Sequence, residues 1–368
     1  MNFSKHWAGT LDDYVIDLAW SPSGTLLAAA SAGGGITLYD AATGAVARQL
    51  RGHDDGANCI AWMPGIVGGA LCPDTSRDQP APTVSPSREQ PAPAILASGG
   101  QDGFVRCWDS STGAQSAEVK VGSGWVEHLA WAPDNSPLPT PRSQLLMAAA
   151  GRRLVALKSD GTVAHAFPDA AKTISALAWR PDGGAFASAC FGHVTIWDAA
   201  TFAAQKEYPY ANAILALTWS PDGRWLVAGC HDNAVHLWVP AEELELQMSG
   251  YETKLKELSF SSDSRWLATG GGRDACVWDC SGAGPEGREP LLLPQAARTT
   301  AVAFQQAHGL LATGDAGGGF TLWSPTRKNP LVAEVRMPAP ATKFAWRPDD
   351  SLLAVGTEQG AVFVFKTA

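Results

Sequence analysis

An in-phase repeat governs what this chain can fold into. Eight times an apolar-small-aromatic triplet leads into a turn of the Ser-Pro-Asp-Gly kind. An apolar run, a Gly/Asp turn and a strand-like segment ending near Trp-Asp then follow. Clear copies are Leu18-Ala19-Trp20-Ser21-Pro22-Ser23-Gly24, Leu177-Ala178-Trp179-Arg180-Pro181-Asp182-Gly183 and Leu217-Thr218-Trp219-Ser220-Pro221-Asp222-Gly223. The aromatic anchors are Trp20, Trp62, Trp131, Trp179, Trp219, Phe260, Phe304 and Trp346. Their spacings are 42, 69, 48, 40, 41, 44 and 42 residues, and six of the seven suit a unit of four short strands. One such unit cannot bury its apolar face alone, so the units must stack on each other.

Composition agrees with short strands and tight turns. The 368 residues include 38 Gly and 25 Pro, and only 17% are charged. The long spacing has a visible cause: a Pro-rich stretch at about 64–94, which cannot bury a core and reads as a loop inserted in the second repeat. A shorter insertion, Asn135-Ser136-Pro137-Leu138-Pro139-Thr140-Pro141-Arg142, widens the third. Both fall between first and second strands, which places them on one face.

A net charge of −9, with no Lys/Arg run longer than two, argues against a nucleic-acid partner. The start, Met1-Asn2-Phe3-Ser4-Lys5-His6-Trp7, lacks the apolar stretch of a signal peptide. No segment approaches the roughly 18 apolar residues of a membrane span, so no membrane partner is expected. The seven Cys are odd in number and scattered, which reads as free thiols in a reducing, cytoplasmic compartment.

Third strands end in Trp108-Asp109, Trp197-Asp198 and Trp278-Asp279, with weaker endings at Tyr39-Asp40, Trp238-Val239, Trp323-Ser324 and Phe365-Lys366. The third repeat departs furthest, with Ala156-Leu157-Lys158. Together these motifs resemble the WD-repeat family over essentially the whole chain. The resemblance implies an all-β fold: one eight-bladed β-propeller domain spanning 1–368, of four-stranded antiparallel blades. It also implies closure of the last blade by the N-terminal strand. The eighth repeat ends after three strands at Phe363-Val364-Phe365, and the start has a spare segment, His6 to Leu11. Residues 5 to 11 are therefore expected to pair with 361 to 366, which removes two sheet edges.

The family's stabilising network joins a His, a Ser/Thr, an Asp and the terminal Trp. Blade 2 matches it fully with His53, Ser98, Asp102 and Trp108, a structural role that outweighs a catalytic one. Blade 6 keeps Thr269, Asp274 and Trp278 but has Tyr251 in place of His. The other blades lack the His, so apolar packing is expected to hold them.

What the repeats do not share points to function. Six residues before the anchor stand Tyr14, Gly56, Trp125, Thr173, Ala213, Lys254, Arg298 and Pro340; four before it stand Ile16, Asn58, Glu127, Ser175, Leu215, Lys256, Thr300 and Thr342. These are expected at the rim of one face. Scaffold needs do not explain Tyr14 or Trp125, and exposed aromatics and Arg dominate binding hot spots. Blades 1 to 3 carry Asp12, Asp13, Asp54, Asp55 and Glu127; blades 6 to 8 carry Lys254, Lys256, Arg298 and Lys343. Such a face could orient a dipolar partner; chance clustering on polar loops is the plainer reading. The candidate partner-binding set is Tyr14, Asn58, Trp125, Glu127, Lys254, Lys256 and Arg298.

Three residues before the anchor, a channel-facing ring includes Asp17, Cys59 and His128, ligand types that suit zinc. A wide channel argues against their convergence on one ion.

Enzyme motifs are missing: there is no phosphate loop and no Gly-x-Ser-x-Gly elbow. Gly33-Gly34-Gly35 and Gly317-Gly318-Gly319 fit tight turns between strands, with no helix following to cradle phosphate. Cys276 and Cys280 lack a second ligand pair. The expectation is a monomeric, non-catalytic scaffold that binds a protein or peptide on one face, with no cofactor. The alternative is a metal- or small-molecule-binding propeller with its site at the channel.

Overall fold

The structure, a computed structural model, describes residues 3–65, 94–134 and 144–367. The two insertions lie outside the described residues, apart from residues 64, 65 and 94 at the edges of the longer one. Each repeat forms one four-stranded antiparallel sheet, and there are eight. In blade 2 the strands are Ala57–Trp62, Ile95–Gly100, Phe104–Asp109 and Gln115–Lys120, in that order. First strands of successive blades pack against each other and so line the central channel.

Burial follows this order. The second strand of blade 3, Leu146–Ala150, is wholly buried, whereas its fourth, Val163–Ala166, is largely exposed. Middle strands are covered on both sides by neighbouring blades, so both of their faces must be apolar and one must be small. Ala28 and Ala30 of blade 1 accordingly make room for Ile60 and Trp62 of blade 2 in one buried cluster.

The anchors are Trp for a reason that apolar periodicity does not reveal. Trp62 Nε1 donates to the carbonyl of Ala19 at 2.9 Å, tying blade 2 to blade 1. Trp131 reaches Ala61 at 3.0 Å, Trp179 reaches Ala130 at 2.9 Å, and Trp219 reaches Ala178 at 3.3 Å. Trp346 reaches Ala303 at 3.0 Å and Trp20 reaches Ala345 at 2.9 Å. Each acceptor is the residue before the preceding blade's anchor. Phe260 and Phe304 have no such donor. At the blade 6–7 junction Ser259 Oγ instead accepts the Phe304 amide at 2.9 Å. At the blade 5–6 junction Ser264 Oγ accepts the Asp222 amide at 2.9 Å, with Ser264 held at φ +62 where blades 1, 4 and 5 have Gly.

Closure occurs at the N-terminal strand, Phe3–Thr10, which pairs antiparallel with Ala361–Thr367 as the outer strand of blade 8. The pairing runs from Phe3 opposite Thr367 to Thr10 opposite Ala361 and shifts register between Lys5 and Trp7. Phe3 stacks on Phe365 with ring centroids 4.9 Å apart.

Candidate docking face and channel

One backbone irregularity presents the candidate rim residues. In seven blades the pairing of first and second strands shifts register just before the channel-facing position, for example between Val15 and Asp17, Ala57 and Cys59, and Val126 and His128. The residue skipped is the one four before the anchor, including Asn58 and Glu127. A bulge re-aims a side chain that regular alternation would commit to the sheet. Blade 6 solves this differently: its first strand pairs only over Leu258–Phe260, leaving Lys254 and Lys256 on unpaired chain ahead of it.

Trp125 is 52% exposed and Tyr14 39%. Asn58 is half-buried, its Nδ2 donating to Val126 O across the blade 2–3 junction at 3.3 Å. Glu127 is exposed. It lines an open cleft of about 480 Å³ together with His128, Lys172, Phe191 and Leu215. Phe191, 52% exposed, was not among the sequence candidates. It sits in the turn between the second and third strands of blade 4, outside the register counted from the anchors.

The charges divide unequally. Among the described residues Lys254, Lys256 and Arg298 are exposed and form no ion pair within 4.0 Å. The acidic side is partly occupied with itself: Ser31 Oγ donates to Asp12 at 2.5 Å, the Tyr14 amide donates to Asp13 at 2.7 Å, and Asp54 lies 3.6 Å from Arg51. Lys343, expected on the basic side of the face, turns to the channel and pairs with Asp17 at 3.0 Å.

That pairing also revises the metal reading. Asp17 further accepts the amides of Leu18 at 3.0 Å and Ile60 at 3.1 Å. Cys59 directs its thiol at Val126 O, 3.6 Å away, and burial, then the nearby Asp17 charge, pushes its pKa up, so the thiol stays protonated. Burial lowers His128 to about 4, which keeps it neutral. The three do not converge: among the described residues no group of three His, Cys, Asp or Glu side chains could hold a metal ion.

The network of blade 2 is complete in its geometry. His53 Nδ1 lies 3.0 Å from Asp102, its Nε2 2.9 Å from Ser98 Oγ, and Trp108 Nε1 donates to the same Oγ at 2.9 Å. Arg106 Nη1 also lies 2.6 Å from His53 Nδ1, so this nitrogen sits between a guanidinium donor and a carboxylate acceptor. Arg106 donates to Asp102 at 2.6 Å. Burial raises the Asp102 pKa, but the Arg106 hydrogen bond and further contacts with Phe104 and His53 leave it lowered overall.

Lack of the His does not leave the other blades to apolar packing alone, as the sequence had suggested. In blade 6 Tyr251 takes its place, with its hydroxyl 3.0 Å from Thr269 Oγ1 and accepting from Trp278 Nε1 at 2.8 Å. In blade 7 Gln295 Nε2 and Trp323 Nε1 both donate to Thr313 Oγ1, at 2.9 and 2.8 Å. In blade 5 Tyr210 donates to Asp232 at 2.6 Å, while Ala228 replaces the hydroxyl residue and Trp238 Nε1 has no hydrogen-bond partner among the described residues. All four stand nine residues before their anchors, a signal present in the sequence once the position rather than the residue type is followed.

Comparison with known proteins agrees with this architecture. The family described as "Anaphase-promoting complex subunit 4 WD40 domain" matches residues 1–64, and "WD domain, G-beta repeat" matches residues 84–109, 205–239 and 243–279. The "Protein SEC13 homolog" of Drosophila melanogaster is 30% identical over 200 residues, 50% of this chain and 52% of the relative, so the match spans about half of each. The crystal structure of the computationally designed Ika8 protein superposes with a TM-score of 0.77 at 18% identity, over 99% of this chain and 100% of that one, a likeness of fold alone. No helix among the described residues is long and apolar enough to cross a membrane. The repeats, their eight-sheet arrangement and these matches place the chain in the WD-repeat β-propeller family.

Proposed function

We propose that this protein is a non-catalytic docking platform that binds a protein or peptide partner on the face carrying Tyr14, Trp125 and Lys254. The observation that carries this reading is Trp125: a side chain worth several kcal/mol of burial is held 52% exposed on rigid scaffold. Exposed Phe191 and the cleft beside Glu127 extend the apolar part of the face. Lys254, Lys256 and Arg298, exposed and outside any ion pair within 4.0 Å among the described residues, favour a partner that brings acidic groups to blades 6 and 7. Asn58 and Glu127 supply polar contacts between these regions.

Six described cysteines are free, which fits a reducing compartment such as the cytoplasm. Monomeric action without cofactor or nucleic acid belongs to the same proposal. The test is quantitative partner capture from a lysate of the source cell. Trp125→Ala combined with Lys254→Glu should weaken capture at least tenfold, and raised salt should weaken wild-type capture too. Unchanged capture by the double variant would place the docking surface elsewhere.

A further inference from the structure

Blade 4 contains half of the network that is complete in blade 2. Trp197 Nε1 donates to Ser188 Oγ at 2.8 Å, as Trp108 does to Ser98. The position nine residues before the anchor, His53 in blade 2, is Ala170. The surrounding side chains do not close over the missing ring. A cavity of about 170 Å³ remains, lined by Ala170, Ser188, His193 and Trp197, with Asp169 and Glu207 also on its wall.

Its chemistry is specific. Ser188 is 8% exposed, and its Oγ already accepts from Trp197. No acceptor takes the Ser188 hydroxyl proton among the described residues. An apolar occupant would leave that donor unpaired, a loss a nitrogen acceptor avoids. Asp169 and Glu207, both exposed carboxylates, can accept an N–H, and in blade 2 a carboxylate, Asp102, likewise lies 3.0 Å from a ring nitrogen of His53. An apolar cavity of about 150 Å³ holds one benzene, so this one suits a single small ring.

We infer that the cavity is a binding site for an imidazole ring, oriented like the His53 ring of blade 2. Ser188 donates to one ring nitrogen and a wall carboxylate accepts from the other. The ring has two possible sources, a free heterocycle or a histidine side chain of a peptide. This site does not rest on the rim reading, and its test does not use the rim residues.

The experiment is a titration of the purified full chain with imidazole, followed by calorimetry and by ligand-observed NMR. One site per chain is expected, with affinity on the order of millimolar for so small a ligand. Ala170→His should fill the cavity and weaken binding at least tenfold. Ala170→Leu, which fills it without a nitrogen, should do the same and guards against a poorly folded His variant. His53→Ala should gain a second site, because it opens the same space in blade 2. Absence of wild-type binding at tens of millimolar would overturn the inference, as would undiminished binding in both Ala170 variants. Benzene binding as tightly as imidazole would overturn its hydrogen-bonded basis. Gly-His-Gly binding as tightly as imidazole assigns the site to a peptide side chain; binding over tenfold weaker assigns it to a free heterocycle.

Discussion

Replacing Trp20 with Phe tests how the ring of blades is held shut. Trp20 is 7% exposed, and its indole N–H donates to Ala345 O at 2.9 Å across the junction between blades 1 and 8. Phe keeps an aromatic ring in the same cluster but removes the donor. Leaving a carbonyl without its partner costs about 1–3 kcal/mol. The smaller ring gives up roughly 40 Å² of apolar contact, about 1 kcal/mol. A total of about 2–4 kcal/mol is expected. The rest of the junction persists: Thr342 Oγ1 donates to Val15 O at 2.7 Å and Arg347 Nε to Gly24 O at 2.9 Å. The variant should therefore fold but unfold at lower urea, with an unchanged dependence on denaturant, as followed by far-ultraviolet circular dichroism. A change below about 0.5 kcal/mol would mean that these anchors act by area alone and that the hydrogen bonds are incidental.

Three further outcomes follow from the same structure. His53→Ala should destabilise by about 2–4 kcal/mol in urea unfolding, because it removes the ring's contacts with Asp102 and Ser98 and vacates a buried ring site; loss below 1 kcal/mol would deny the network a stabilising role. Lys343→Met should cost about 1–2 kcal/mol, moderated because Lys343 is half-exposed to the channel. Adding Asp17→Asn should recover most of that, since the unpaired carboxylate is then removed; strict additivity of the two changes would contradict the pairing. His128 is lowered to about 4 from 6.5, so the unfolded chain binds the extra proton between those values and stability falls as pH drops through that window. The slope from this group is at most about 1.4 kcal/mol per pH unit. Burial raises Glu127 and Glu257, which act in the opposite sense, so the readout is the difference between wild type and His128→Leu in unfolding at pH 7 and pH 5. Parallel curves for the two proteins would contradict the assignment.

Repeat spacing, turn chemistry and a spare N-terminal segment made the architecture legible, because each blade repeats the same local demands. Side-chain substitution within the network was less visible. Tyr251 and Gln295 do the work of a histidine through different atoms, and a search by residue type passes over them. Trp rather than Phe at an anchor looks like an equivalent apolar choice until the N–H is seen to cross a blade junction. Lys343 is counted with the basic side of the rim although it stands three before its anchor, in the channel-facing register; the register gives its direction but not its partner, Asp17 of the next blade. Phe191 lies in a turn, where counting from the anchors does not reach.

Site-specific photocrosslinking tests the docking account most directly. A photoreactive amino acid is placed at Trp125, at Lys254, and at Glu243 in the loop joining the outer strands of blade 5, and partners are captured in the source cell. The account predicts the same covalent partner from positions 125 and 254, lost at high salt for position 254, and none from 243. Capture from 243 with none from 125 or 254 would contradict it.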